Sequence, residues 1–353
     1  MKDIALEDQA RKALLECLQE VPFLRVETLR ELKGMDGRTD FRVQVKRPGG
    51  RITLIVEARK IGQPRTIREA TNQLLRLKNS LPDSYGVVMA PYISPKAAAI
   101  CLKEGFGFVD LAGNCLLSFD QVFISKEGRV NPFVRKRDLR SLYSPRAERV
   151  LRVLLSAPGQ WWKVQTLADT AEVSLGQTFN VKKLLVDREW MATGNEGFRL
   201  TAPAELLAEW EANYDYRRSS VREFYTLRPT ADFERMLAKD CKKTKTAYAL
   251  AGFSSAARYA PMVRYQRAMA YVRGDLNGVT QRLELKPVTS GANVNLISPY
   301  DEGVFYGVQL KDEAKVTSPV QTYLDLRQIK GRGEEAADFL MQQVIQPTWS
   351  INE

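Results

Sequence analysis

Histidine is absent from all 353 residues. That removes Ser-His-Asp nucleophilic chemistry, histidine general bases and the zinc sites that rely on imidazole. Cysteine is scarce. Cys17, Cys101, Cys115 and Cys241 are scattered, with no CxxC pair. That spacing points to neither a zinc ribbon nor a disulfide framework, and the mostly apolar surroundings predict reduced core thiols. No apolar run is long enough to span a bilayer, and no signal peptide is evident, so the expectation is a cytoplasmic protein with no membrane partner. Acidic residues are in deficit: 42 Asp and Glu stand against 53 Lys and Arg, a net charge of +11. Such an excess favours a polyanionic partner, double-stranded DNA above all. Hydrophobic residues make up 44% of the chain, enough to core two or three domains at this length.

What is present is richest between Ser144 and Leu200. A helical run from Pro145 to Leu155 stops at Ala157-Pro-Gly159. A second, Val164 to Ala171, is followed by Glu172-Val-Ser174, a turn ending in an N-cap serine, and by the amphipathic run Leu175 to Asp187. Glu189 to Thr193 and Phe198 to Thr201 flank a Gly-Asn-Glu-Gly tip and predict two strands joined by a turn. This order is that of a winged helix-turn-helix, which sets its second helix in the DNA major groove. Val173, Phe179, Leu184 and Leu185 are expected to pack inward. Ser174, Gln177, Thr178, Asn180, Lys182 and Lys183 supply the amides, hydroxyls and ammonium groups that read bases and phosphates, and Arg199 adds a wing contact. Upstream lies a basic stretch, with Arg129, Arg135, Lys136, Arg137, Arg140, Arg146, Arg149 and Arg152 opposed nearby only by Asp138 and Glu148. It is expected to straddle a phosphate backbone or to be a solvated linker.

The fold class expected is an α/β N-terminal domain with a mixed sheet (residues 1–131), a basic linker and central winged helix-turn-helix (132–214), and an α+β C-terminal domain (215–353). In the first segment the patterns predict strands at 41–45, 52–56, 85–90, 105–111 and 115–119. Helices are predicted at 4–18, 66–79 and 94–104. In the last, strands are predicted near 248–252, 267–272 and 304–308, and helices near 232–242, 254–259, 320–328 and 333–344.

Asp40 opens one strand, and Val56-Glu57-Ala58-Arg59-Lys60 closes the next. Asp followed by Glu-x-basic resembles the PD-(D/E)xK restriction-endonuclease-like fold. The resemblance implies Asp40 and Glu57 as Mg²⁺ ligands, a basic residue that positions water, and Gln73 as support on the following helix. Position 59 departs from the pattern. Arg59 keeps the charge, but its planar, permanently protonated fork does not substitute for an ammonium, and strand alternation turns Lys60 to the opposite face. The expectation is a degenerate site, with Mg²⁺ required only if cleavage survives. The alternative is that Asp40 is a turn residue and Glu57 a strand end paired with Arg59.

One further stretch runs from Gly86-Val-Val-Met-Ala-Pro-Tyr-Ile-Ser94 to Gly105-Phe-Gly-Phe-Val-Asp-Leu-Ala-Gly-Asn114. Another runs from Ser318-Pro-Val-Gln-Thr-Tyr-Leu-Asp-Leu326 to Gly331-Arg-Gly-Glu-Glu-Ala-Ala337. Together they are similar to the AbiEi family, the antitoxins and transcriptional regulators of type IV toxin–antitoxin and phage-defence systems. The resemblance implies a bacterial DNA-binding regulator of its own operon, with a cognate toxin as a second partner and a homodimer as one binding state. Here the winged helix is central, whereas the better-known antitoxins begin with it. The residues themselves also allow a plain structural reading. Asp110 and Asn114 suit a self-bonded turn with Gly113 at positive φ, and Gln321 and Asp325 lie four apart on one helical face, able to bond each other or a partner. Tyr248 to Ser255 has the strand, glycine, serine order of a nucleotidyltransferase turn, but the next strand lacks carboxylates. Three functions stay open: a sequence-specific regulator, a Mg²⁺-dependent nuclease, and an antitoxin acting by protein contact.

Overall fold

The computed structural model describes all residues except 1, 34–38, 82, 134–141, 261–263 and 351–353. Of residues 2–5, 29–33, 39 and 40 only the backbone is described. The chain divides into two compact units, Met1–Lys136 with Val186–Glu189, and Arg137–Leu185 with Trp190–Glu353.

In the first unit, helix α1 (Lys2–Gln19) precedes strands β1 (Arg25–Lys33), β2 (Thr39–Arg47) and β3 (Gly50–Ala58). Helix α2 (Pro64–Ser80), β4 (Ser84–Ala90), α3 (Pro95–Lys103), β5 (Gly107–Asp110), β6 (Cys115–Phe119) and β7 (Val122–Lys126) follow. The seven strands form one sheet in sequence order. Pairs β3–β4 and β4–β5 are parallel, bridged by α2 and α3, and the remaining pairs are antiparallel. The α/β unit with a mixed sheet is therefore as the sequence implies. Period-two alternation is the cause. Leu54, Val56, Val87 and Met89 face Leu14 and Leu18 of α1, whereas Ile55 and Val88 face Ile67, Leu74, Ala97 and Ile100 of α2 and α3. With both faces covered, β4 is buried along its whole length. Helix α3 starts as read, the Ser94 hydroxyl accepting the Ala97 amide at 3.3 Å and Pro95 taking the first helical position. The four cysteines are buried and free, and the Cys17 and Cys115 sulfurs lie 3.1 Å apart. Strands β1 and β7 have no counterpart in the sequence reading.

The second unit begins with helices α4 (Pro145–Ser156), α5 (Val164–Ala171) and α6 (Leu175–Asp187), then the antiparallel pair β8 (Met191–Gly194) and β9 (Gly197–Leu200), and helix α7 (Pro203–Asn213). A second seven-stranded sheet follows. Its strands are β10 (Ser220–Tyr225), β11 (Tyr248–Leu250), β12 (Ala268–Val272), β13 (Lys286–Pro287), β14 (Val294–Ser298), β15 (Gln309–Lys311) and β16 (Ala314–Val316). Their spatial order is β13-β10-β14-β12-β11-β16-β15. The accompanying helices are α8 (Thr230–Thr244), α9 (Gly252–Tyr259), α10 (Leu276–Arg282), α11 (Pro319–Arg327), α12 (Arg332–Leu340) and α13 (Gln346–Ser350).

Helices α8 and α10 cover one face of this sheet through Phe233, Leu237 and Val279. The strand expected at 304–308 is instead a 3₁₀ turn, Glu302–Phe305, because the Asp301 carboxylate caps it by accepting the Gly303 amide at 2.7 Å. Helices α4 to α7 and the β8–β9 pair share one hydrophobic cluster with α11 to α13. Val150, Leu151, Leu154, Leu185, Phe198 and Trp210 belong to it together with Val320, Leu324, Leu340 and Trp349. Among the described residues no helix is long and apolar enough to cross a membrane.

Candidate nucleic-acid interface and N-terminal carboxylate site

The turn between α5 and α6 is built as its residues demand. Glu172 takes a left-handed φ of 52°, ending α5, and the Ser174 hydroxyl accepts the Gln177 amide at 3.3 Å to start α6. The β8–β9 turn needs glycine. Gly197 has φ 131°, and a Cβ there would lie 2.1 Å from the Trp162 carbonyl oxygen. That close approach exists because Trp162 and Phe198 exchange backbone hydrogen bonds of 2.7 and 3.0 Å, pinning the hairpin beside α5.

The predicted contact residues fare differently. Ser174, Asn180 and Lys183 are exposed, and Gln177, Lys182 and Arg199 are half-buried. The Lys182 ammonium lies 4.5 Å from the Phe198 ring centroid, and the Arg199 guanidinium 5.4 Å from that of Trp161. Thr178 is fully buried, its hydroxyl donating to the Ser174 carbonyl at 3.2 Å, so it is not presented to a ligand. The expectation that Phe179 packs inward fails. Phe179 is 58% exposed and Leu175 48%, while Thr178, Val181 and Leu185 form the buried face. Arg135, Lys136, Arg137 and Arg140 lie outside the described residues. Two members of the basic stretch do structural work instead. Arg149 forks onto Asp301 at 2.7 and 3.1 Å, and Arg152 is buried.

Arg152 belongs to a polar centre between α4 and α11 that the sequence reading missed. Its guanidinium donates to Gln321 Oε1 at 2.7 and 3.0 Å, lies 3.7 Å from the Glu148 carboxylate and sits over the Trp210 ring. Glu148 also accepts from Arg218 at 3.0 Å and from the Tyr300 hydroxyl. Gln321 Nε2 in turn donates to Asp325 Oδ1 at 2.8 Å, so the four-residue spacing does join the two. Tyr214 and Tyr271 donate to the same oxygen at 3.0 and 2.8 Å. Burial pushes the Asp325 carboxyl up to about 6, against the pull of these donors and of Arg152. Burial likewise raises Glu148, opposed by Arg152, Tyr300 and Arg218. Arg152 is the one arginine buried in this centre beside the two buried carboxylates, while the exposed Arg218 reaches Glu148 from the surface and offsets part of its charge.

At the N-terminal site, β2 and β3 pair with Phe41 opposite Val56. Asp40 and Glu57 are the residues next to that pair on the two strands; the Asp40 side chain lies outside the description. Glu57 and Arg59 are buried and form an ion pair, and the same guanidinium donates to Gln73 Oε1. Three of the candidate residues thus meet, but around arginine. Lys60 is exposed. The described residues do not fit Mg²⁺, because the one described carboxylate is already neutralised by a buried guanidinium. The Asp110–Asn114 turn bonds itself and also ties to the backbones of Ile93 and Arg129. Asp110 accepts the Asn114 amide at 2.8 Å and its Nδ2 at 2.9 Å, and Gly113 has φ 97°. In the nucleotidyltransferase-like turn, Ser254 and Ser255 are fully buried, the first accepting the Met269 amide and the second bonded to the Thr322 hydroxyl, so neither is open to a phosphate.

Comparison with known proteins bears on the C-terminal segment. Residues 199–346 match the family described as transcriptional regulator, AbiEi antitoxin, type IV toxin–antitoxin system. The match covers rather less than half of the chain and includes β10 to α12, so the resemblance carried by Ser318–Ala337 holds. Among curated proteins nothing matches. One solved structure, described as EndoMS in apo form, aligns at 19% identity over 29% of this chain and 45% of that one, with a TM-score of 0.22. The chain thus spans under half the length of that protein, and at this score the likeness carries no argument.

Proposed function

We propose that the protein is a DNA-binding transcriptional regulator of the antitoxin type. In this reading Ser144 to Leu200 acts as a winged helix-turn-helix within a domain of residues 132–214. It is preceded by a degenerate nuclease-like domain of residues 1–131 and followed by the AbiEi-type domain of residues 215–353. The observation that carries the proposal is the match of residues 199–346 to a family of antitoxins and transcriptional regulators. The serine-capped α6, the short hairpin after it and the net charge of +11 support duplex DNA as the ligand. Phosphate contacts fall to Lys182, Lys183 and Arg199 and to the basic linker residues Arg135, Lys136, Arg137 and Arg140. Base contacts fall to Ser174, Gln177 and Asn180. A cognate toxin is the second partner proposed, and a homodimer is one binding state. The Glu57–Arg59 pair lends no support to cleavage.

Fluorescence anisotropy tests this. The duplex immediately upstream of the gene is compared with a scrambled duplex, in EDTA and then in Mg²⁺. The proposal expects a preference of about a hundredfold, roughly 3 kcal/mol. Equal, salt-sensitive binding to both duplexes would reduce the protein to a non-specific binder. A signal that decays only with Mg²⁺ would restore the nuclease, and no binding would move the function to protein contacts.

A further inference from the structure

The solvent face of α6 is not the polar face that its composition suggests. Leu175 and Phe179 stand on it at one-turn spacing, 48% and 58% exposed, while the polar Thr178 is turned into the core. Both lie in the first half of the helix, the part that reaches base edges when a second helix enters a major groove. Gly176 lies between them in sequence, and a Cβ there would meet nothing within 4 Å, so the backbone can approach a ligand closely. Asn180 and Lys183 continue the exposed surface. From Ser174 to Val186 the chain carries two lysines and no carboxylate, which suits a polyanion.

A large apolar side chain left in water on such a helix needs a partner that is apolar within a charged surface. In the major groove the one apolar group on a base edge is the C5 methyl of thymine. We infer that Phe179, flanked by Leu175, is a specificity-determining residue that recognises thymine methyl groups, with Asn180 offering its amide to an adenine edge beside them. This rests on the DNA-binding reading above and sharpens it: the preferred site holds thymine where α6 lies, and the selection is by shape and methyl contact rather than by hydrogen bonds from Thr178.

The test uses the full chain and a pool of random-sequence duplexes, enriched by repeated binding and sequenced. Anisotropy then follows the most enriched duplex with each thymine in turn replaced by deoxyuridine, which removes only the methyl. The expected result is at least one position where the replacement weakens binding about fivefold, the scale of one buried methyl group. In Phe179→Ala that penalty should shrink to less than twofold. Phe179 is solvent-exposed, and unchanged circular dichroism verifies that its removal leaves the fold intact. Leu175→Ala provides a second variant with the same expectation in smaller measure. Specific binding that ignores every deoxyuridine overturns the thymine assignment and leaves the regulator standing. A penalty retained in full by both variants overturns the role of these residues. Absence of DNA binding overturns both readings together.

Discussion

Asp325→Asn is expected to make the protein more stable at neutral and alkaline pH and to remove part of its pH dependence. Asp325 sits on α11 with one oxygen accepting from Tyr214, Tyr271 and Gln321, while its other oxygen has no hydrogen-bond partner among the described residues. Burial lifts its pKa to about 6, from about 3.9 in an unfolded chain. A carboxyl raised on folding stabilises the native state fully below about pH 4, and that contribution is lost as the pH rises through about 6. Roughly two units at about 1.4 kcal/mol each amount to about 3 kcal/mol. Asparagine keeps an acceptor for the three donors and carries no charge. At pH 8 the variant should therefore exceed the wild type by about 1 to 3 kcal/mol, the lower end allowing for an amide N–H left without an acceptor. At pH 4 the gain should vanish or reverse. Thermal unfolding of both proteins from pH 4 to 8, read as the difference between them, cancels the titration of groups common to both. A difference that stays constant across this range would refute the assignment of the perturbed titration to Asp325.

Other substitutions test neighbouring parts of the structure. Arg152→Ala leaves Gln321 Oε1 without its donor and Glu148 with only Arg218 and Tyr300, and should cost about 2 to 4 kcal/mol, read as a fall in unfolding midpoint. Gly197→Ala combines a left-handed φ with a clash against the Trp162 carbonyl, and should destabilise the hairpin and its neighbour α5 by about 1 to 3 kcal/mol, visible as faster amide exchange at Phe198. Lys183→Ala should weaken binding to cognate and random duplex alike and reduce the slope of log affinity against log salt by about one. Plasmid nicking in Mg²⁺ or Mn²⁺ should be no greater for wild type than for Glu57→Ala, because the Glu57 carboxylate is held by Arg59.

The sequence announced elements wherever one physical rule dominated. An alternating run located β2, continuous apolar runs located β3 and β4, and the Ser94-Pro95 pair located a helix start through a hydroxyl cap that the structure forms. Strand β1 escaped because its residues, Arg25-Val-Glu-Thr-Leu-Arg-Glu-Leu-Lys33, are largely polar and a bulge between Val26 and Thr28 breaks its alternation. The phase of α6 misled for a different reason. A threonine that returns its hydroxyl to the carbonyl four residues back can occupy a buried position without penalty, so ranking residues by polarity places Thr178 outside and Phe179 inside, the reverse of what is found. The centre around Arg152 was illegible because its members come from positions 148 to 325, and only Gln321 and Asp325 lie close enough in sequence for their spacing to speak.

The α4–β9 segment shares its interior with α11 to α13. Its apolar side chains close against α11 to α13, and the Trp349 indole donates to the Leu155 carbonyl at 2.8 Å, at the last turn of α4. Cutting the gene at the apparent boundary near residue 214 would yield a fragment missing one wall. Inheritance must keep the two stretches together, and compensating mutations should pair positions far apart in the chain. If DNA and a second protein both bind as proposed, and the second protein engages the C-terminal helices, it loads the same packing that positions α6, and reciprocity requires each to change the other's affinity by the same factor.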